Sequence, residues 1–468
     1  MKLMSFSLDW RWGVRVSLLM LFATATVKAD VVLDWNEALR AVVQSDTAKA
    51  NPGWSTRSMA MMNGAIYDAF QAVQRTHVPF YVDMTNPSAS QAAASTQAAF
   101  EILAVCYPGA AQAAILSDAY TTALSGIADG PAKDAGIVLG ASIAQQYLGW
   151  RDSDGADQMV AYMPTALPGR WQPDPFNPKP AWGPEWGGVT PFTLTSSQQF
   201  AVPGVPDMSS QEYVDAFNQV KMKGALTGST RTPDEEAIGI FWAYDRAGMG
   251  PPPVLYNRNL HEIAMQTGNA PADNARLFAM ASVAMADAAI AAWDVKFVDD
   301  FWRPVTAIRA ASDQDDDNPA TVEDGTWQPL GAPGDNPLSS TDDFTPPFPA
   351  YVSGHATMGG ATYEVLRRFY GGDDLAYTLT SEEMPVGQES RSFTSFSTAE
   401  YENAISRIYL GIHWLFDADD GVALGNDIAE WVESHHFQPV PEPASWAIGC
   451  AAIPLIALGR RIRRRTLD

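Results

Sequence analysis

LFAMASVAMADAAIAAWDVKFVDDFWRP, residues 277–304, is an unbroken apolar, alanine-rich run that ends in charge. It reads as one long helix starting near Asn274 and running through Trp302. Lys296 and Arg303 are seven apart, two helical turns, so both are expected on one face. Pro304 disfavours helical geometry at the residue before it and is expected to mark the helix end. Taken alone, a Lys-x6-Arg spacing is common on solvated helices.

Working outward, the rest of the body has the same helical character. Met59, Met62, Ile66, Phe70 and Val73 recur at helical spacing and read as core. Alanine-rich stretches follow at 92–105, 110–128 and 132–148, and convincing alternating strands are absent. The expected fold class is all-α. Pro- and Gly-rich connections at about 163–209 and 312–350 are long enough to be ordered, functional loops. The acidic run SDQDDDN (312–318) lacks the glycine and distal glutamate of an EF-hand and reads as a solvated loop.

Two further segments share the chemistry of Lys296 and Arg303. In PPFPAYVSGHATMGGA (346–361), Ser353 stands where it would cap a helix that Gly371-Gly372 ends. The first-turn amides of such a helix attract anions, and Gly354 lets the backbone come close to one. In SRIYLGIHWLFD (406–417), Arg407 is followed by His413 and Asp417. The last two are four apart, as on one helical face, so the carboxylate can orient the ring. A plain cap or a structural His–Asp pair explains either segment alone. Together the three supply Lys296, Arg303, Arg407, a hydroxyl, backbone donors, His355 and His413. That inventory suits a tetrahedral oxyanion such as phosphate or vanadate.

Composition sharpens the point. The formal charge is -24, with 30 Lys and Arg against 54 Asp and Glu. Residues 1–29 and 460–468 are basic, and without them 21 basic residues face 52 acidic ones. Such a body repels nucleic acid and anionic lipid. An anion site inside it must be built locally from scarce cations and from two of six histidines. Cys106 and Cys450 are the only cysteines, and Cys450 falls in the apolar tail, so the body holds no internal disulfide.

Both ends read as sorting elements. Lys2, Arg11 and Arg15 precede VSLLMLFATATV, with Val27-Lys28-Ala29 offering a cleavage site before Asp30. Ala23-Thr24-Ala25 fits the same small-residue rule. At the other end, Val440-Pro441-Glu442-Pro443 leads into ASWAIGCAAIPLIALG and RRIRRR. This apolar stretch would span roughly 24 Å as a helix, a little short of a bilayer core. The order of these parts resembles the PEP-CTERM signal of Gram-negative bacteria. The expected organisation is a signal peptide at 1–29, a catalytic body at 30–438 and a sorting tail at 439–468. The resemblance implies export, transient contact with inner-membrane sorting machinery, and release to the periplasm, cell surface or exterior.

The three motifs in this order, with PGRWQP, STRTPDEEAIGIFWAYD, WQPLGAP and PPFPAY, resemble the vanadium-dependent haloperoxidases. These form one branch of a superfamily shared with type 2 phosphatidic acid phosphatases and bacterial acid phosphatases. The likeness runs through most of residues 30–436. It implies two four-helix bundles with long ordered loops, a vanadate cofactor, and hydrogen peroxide and halide as substrates, with an organic acceptor as a further partner. It also implies that Lys296, Arg303 and Arg407 neutralise the anion, that Ser353 and the Gly354 amide donate to it, and that His413 ligates vanadium. His355 would act as acid and base, Asp417 would support His413, and Asp245 would buttress Arg407. Val352 replaces the usual proline before Ser-Gly-His, which is expected to loosen that loop. Trp293 and Phe348 match apolar positions of chloroperoxidase-like members, making them candidates for the halide pocket. The same residues could run an acid phosphatase with His413 as nucleophile. A non-catalytic surface or matrix protein that binds oxyanions is the third reading.

Overall fold

Polar caps and prolines set where each helix starts, and the computed structural model describes residues 30–244, 248–311, 318–333 and 344–441. Asp30 caps α1 (Val31–Ser45) by accepting from the Val32 and Leu33 amides. Asn51 caps α2 (Pro52–Gln74), whose first-turn proline has no amide to lose. Then come α3 (Gln91–Cys106), α4 (Ala110–Ser125) and α5 (Pro131–Arg151). Helices α6 (Gln211–Lys223) and α7 (Pro233–Phe241) follow, the latter opened by a Thr232–Glu235 capping box. Next are α8 (Pro252–Thr267), α9 (Pro271–Asp299) and α10 (Pro304–Ala310). The last helices of the described residues are α11 (Gly354–Tyr370), α12 (Phe396–Tyr409) and α13 (Leu415–His435).

The fold is all-α, and α9 is its axis. Its apolar window has a mean hydropathy of 1.5, enough to cross a membrane, yet 94% of that window is buried inside the protein. One side of α9 packs on α2, which carries α3 and α5, with α1 and α4 against α3. The other side packs on α11 and α13, completed by α12. Two bundles thus share one helix. Met59, Met62, Ile66 and Phe70 lie in the buried face of α2. The approach of α11 to α13 depends on missing side chains. A Cβ on Gly425 would lie 2.2 Å from the Thr357 carbonyl oxygen, and one on Gly421 would lie 2.9 Å from that of Ser353.

The segment between α5 and α6 is a long ordered loop containing a single 3-10 turn at Trp186–Gly188. Buried carboxylates pin it. Asp287 of α9 accepts from the Phe192 and Thr193 amides at 2.6 and 2.8 Å. Asp154 joins Arg57 and Arg151 across the first bundle at 2.7 Å each.

Several expectations are corrected. The long helix starts at Pro271 rather than near Asn274 and ends at Asp299, whose follower Asp300 turns left-handed at φ 53°. Pro304 opens the next helix instead of ending this one, and Arg303 is the residue just before that helix. Lys296 and Arg303 therefore do not share a helical face. A short antiparallel hairpin, β1 (Tyr377–Thr380) with β2 (Ser390–Phe393), was not foreseen. The leader at 1–29, most of the acidic run (312–317), and the tail from 442 onward lie outside the described residues.

Candidate active site

Lys296 comes from the last turn of α9 and is fully buried. Its ammonium donates to the carbonyls of Pro349 at 2.9 Å and Ala350 at 3.0 Å, and also to that of Val352. It thereby ties down the loop that leads into α11. Val352, which stands before Ser353 in place of a proline, is itself buried. Ser353 caps α11, its hydroxyl accepting from Ala356 N at 3.3 Å. The Gly354 amide is first in that helix and has no acceptor within it. A side chain at Gly354 would meet the Trp293 ring at 2.7 Å, so the glycine permits close packing at this corner.

Arg303, also fully buried, is held by the Phe348 carbonyl at 2.9 Å and the Ile412 carbonyl at 2.7 Å. Its Nη1 lies 2.9 Å from His413 Nε2. A guanidinium can only donate, so Nε2 carries the lone pair and Nδ1 carries the proton. Nδ1 donates to Asp417 Oδ2 at 2.8 Å. His413 is not on a helix. It lies in the short turn before α13, and Asp417 in the first turn reaches back to accept both this proton and the Trp414 amide at 3.0 Å. The Asp417 carbonyl accepts from Ser353 N at 2.8 Å, which joins the starts of α11 and α13.

His355 is one residue into α11, and Arg407 is near the end of α12. Neither ring nitrogen of His355 has a hydrogen-bond partner in good geometry among the described residues. Its backbone carbonyl accepts from the Tyr256 hydroxyl at 2.7 Å. Arg407 is buried, with a long contact of 3.5 Å to the Ala243 carbonyl. Asp245, expected to support Arg407, lies outside the described residues. His355, Arg407 and His413 open together onto a narrow cleft walled by Trp293, Phe348, Met358, Pro52, Pro252 and Pro346.

Trp293 and Phe348 do more than line that wall. The Lys296 ammonium lies 5.7 Å from the Trp293 ring centre and 5.2 Å from that of Phe348, and the Arg303 guanidinium lies 5.0 Å from Phe348. The rings cover the cations with their negative faces. Trp182 stacks edge-on to Trp293 at 5.2 Å from the long loop. Its role was not legible in sequence, since nothing local distinguishes it from other aromatic loop residues. Met358 was also missed; its one signal is its place three residues after His355, on the same helical face.

Burial dominates the electrostatics. It pushes Lys296 well below the ordinary lysine range, helped by Arg303. It likewise holds His413 and His355 well below the usual histidine value, with Arg303 the main neighbour of the first and Arg407 of the second. Burial raises Asp417 to about 7. The result is a dry pocket crowded with cationic or cation-forming groups, plus one imidazole lone pair. That donor set fits a tetrahedral oxyanion that also accepts a nitrogen ligand.

A pH dependence follows. An anion beside groups of depressed pKa raises those values, so binding takes up protons and affinity grows as pH falls. Sulfate keeps its charge through the neutral range. Its affinity for anion-free protein is expected to rise up to about tenfold per pH unit for each proton taken up, between about pH 8 and 6. Calorimetry in two buffers of different ionisation heat measures that uptake. Affinity flat with pH and no proton uptake would place these groups away from the anion.

Comparison with known proteins points one way. A family model for the VCPO second helical-bundle domain matches residues 276–441, a range holding Lys296, Arg303, Ser353, Gly354, His355, Arg407, His413 and Asp417. The chain is 33% identical over 362 aligned residues to vanadium chloroperoxidase of Curvularia inaequalis. That alignment takes in 61% of this chain and spans 57% of the relative's length. Among solved structures, a bacterial vanadium-dependent iodoperoxidase superposes with a TM-score of 0.73 at 25% identity, covering 88% of this chain and 98% of that one. The holo form of a bacterial vanadium-dependent chloroperoxidase shares the fold, with a TM-score of 0.64 at 17% identity over 84% of this chain and 94% of that one.

Proposed function

We propose that this chain is a vanadate-dependent haloperoxidase, oxidising halide with hydrogen peroxide to a hypohalous acid equivalent. The observation that carries the reading is the pairing of His413 with Arg303 and Asp417. It leaves a neutral imidazole with its lone pair on the cation side of the pocket. The likeness to vanadium haloperoxidases supports it. Lys296, Arg303 and Arg407 would hold vanadate by charge, with Ser353 and the Gly354 amide donating hydrogen bonds. His413 Nε2 would be the direct ligand. When bound, vanadate supplies a Lewis-acidic centre that activates peroxide toward halide without changing its own oxidation state.

The remaining work falls to the chain itself. Asp417 keeps the His413 proton on Nδ1, so the ligating nitrogen stays unprotonated. Lys296 and Arg303, held by backbone carbonyls, together with Arg407 would stabilise negative charge, with Arg303 Nη1 giving up His413 Nε2 to the anion. His355 opens onto the cleft as a neutral base, able to take a proton from an incoming peroxide and return it to the leaving oxygen. Trp293, Phe348 and the three cleft prolines exclude bulk water.

The test is reconstitution. Protein stripped of anions and metals is expected to be inactive in peroxide-plus-bromide halogenation and to gain activity on adding orthovanadate. Phosphate is expected to compete with that gain. A phosphatase using His413 as nucleophile would hydrolyse an aryl phosphate without added metal and be inhibited by vanadate. Brisk ester hydrolysis with no oxidised bromide or chloride from mildly acid to neutral pH would sink the haloperoxidase reading. The leader and tail support a further part of the proposal, that the body is exported. Cell fractionation is expected to find processed protein outside the cytoplasm; full-length protein confined to the cytosol would contradict it.

A further inference from the structure

Among the described residues, Met358 is the one thioether in the wall of the active-site cleft, beside His355, Arg407 and His413. It is 1% exposed, on α11 one turn beyond His355. The other walls of the cleft are proline, Phe348 and Trp293, none of which matches a thioether as a two-electron oxygen acceptor. The chain also carries methionines that solvent reaches freely, Met159 at 96% and Met163 at 83% exposure. An oxidant arriving from solution meets those first. An oxidant formed inside the cleft meets Met358 first.

We propose that Met358 is a self-modification site, oxidised to its sulfoxide by hypohalous acid before that product leaves the cleft. The inference rests on the haloperoxidase reading. A sulfur lone pair attacks the halogen of the hypohalous acid, forming a sulfur–halogen bond as the oxygen–halogen bond breaks, and hydroxide leaves with that electron pair. Water then adds to the halosulfonium sulfur, forming the S–O bond as halide departs with its electron pair. Of the two protons released from that water, one returns to the hydroxide and the other passes to water or to His355. Sulfur loses two electrons, and the halogen gains them. No reductant or further oxidant is needed. The product is a polar, bulkier side chain in an apolar wall next to His355, which narrows the cleft and slows later turnovers. Oxidation at Met358 thus couples the enzyme's lifetime to the number of turnovers completed.

The experiment uses the full protein loaded with orthovanadate, given hydrogen peroxide and bromide, with excess free methionine in solution. Free methionine removes oxidant that escapes, and its conversion to sulfoxide counts the turnovers. Peptide mass spectrometry then reads a 16 Da gain at each methionine, set against peroxide alone without bromide. The expected result is a gain at Met358 that grows with turnover while Met159 and Met163 stay unmodified. Met358→Leu is expected to raise the ratio of total turnovers to initial rate severalfold. Bromide oxidation with Met358 unmodified, or with Met159 and Met163 modified ahead of it, would overturn the proposal and leave the haloperoxidase reading intact. Equal gain at Met358 with peroxide alone would also overturn it, because hypohalous acid would not be the agent. Absence of bromide oxidation altogether removes both.

Discussion

Replacing His413 by alanine is expected to lower vanadate-dependent halide oxidation by more than about 10²-fold, because the direct ligand is lost and weakening a ligand's support alone costs about 10–100-fold. The fold is expected to survive. His413 lies in a turn before α13 rather than within a helix, and α13 keeps the Asp417 contact to the Trp414 amide. The variant does orphan Asp417 Oδ2 from the imidazole, so a small loss of stability accompanies the large loss of activity. Asp417→Asn supplies the contrast. The amide oxygen can still accept from both Nδ1 and the Trp414 amide, so the tautomer is kept, but the negative charge that makes Nε2 a strong ligand is lost while every side chain remains in place. Its activity is expected to fall by about 10–100-fold, with vanadate affinity falling in step. Circular dichroism and urea titration establish folding, and bromide oxidation at saturating orthovanadate gives activity. Wild-type turnover in His413→Ala would move the ligand elsewhere.

The second large effect concerns Lys296→Met. Methionine has a similar unbranched shape, one heavy atom shorter than lysine, but cannot donate, so the carbonyls of Pro349, Ala350 and Val352 lose a buried partner. Each orphaned acceptor costs about 1–3 kcal/mol. Against this, the variant no longer buries an ammonium whose pKa is driven down by burial. Three lost acceptors outweigh that relief, and a net loss on the order of 3 kcal/mol is expected in the urea midpoint. The sign with pH is distinctive. In anion-free wild type the unfolded chain holds the Lys296 proton to higher pH than the folded chain does. Stability contributed by this group therefore rises from neutral pH toward the ordinary lysine pKa. The gap between variant and wild type should widen over that alkaline range. Activity is expected to collapse with it, since the same carbonyls position Ser353 and Gly354 at the head of α11. A variant as stable and active as wild type would mean that Lys296 is neither the tie for this loop nor a cation of the site.

How much of this was legible beforehand differs by element. Helices α2, α3, α5 and α11 could be read from periodicity, small residues and caps, because those signals act within a few residues of each other. Ser353 as a cap and Gly371 as a stop are of that kind, and the structure places both as expected. Pro304 shows the limit. Proline disfavours helix at the residue before it but equally suits the first turn of the next helix, and local sequence does not choose. Here a left-handed Asp300 had already ended α9, so Pro304 became a start.

The linear order of residues determined a mainly helical chain with a scarce set of cations and histidines in three separated segments. It also determined which residue types were available to hold an oxyanion. Only the tertiary structure decided that Arg303 meets His413, 110 residues away, and that Trp293 and Phe348 lie over the cations rather than simply beside the cleft. It also set the tautomer of His413, by putting a guanidinium on one nitrogen and a carboxylate on the other. The physical reason is range. Caps, turns and periodicity are decided by neighbours in the chain, whereas the pocket depends on how closely whole helices approach. That approach is governed by missing side chains at Gly421 and Gly425 and by alanines along α9, whose consequence appears only when the helices pack.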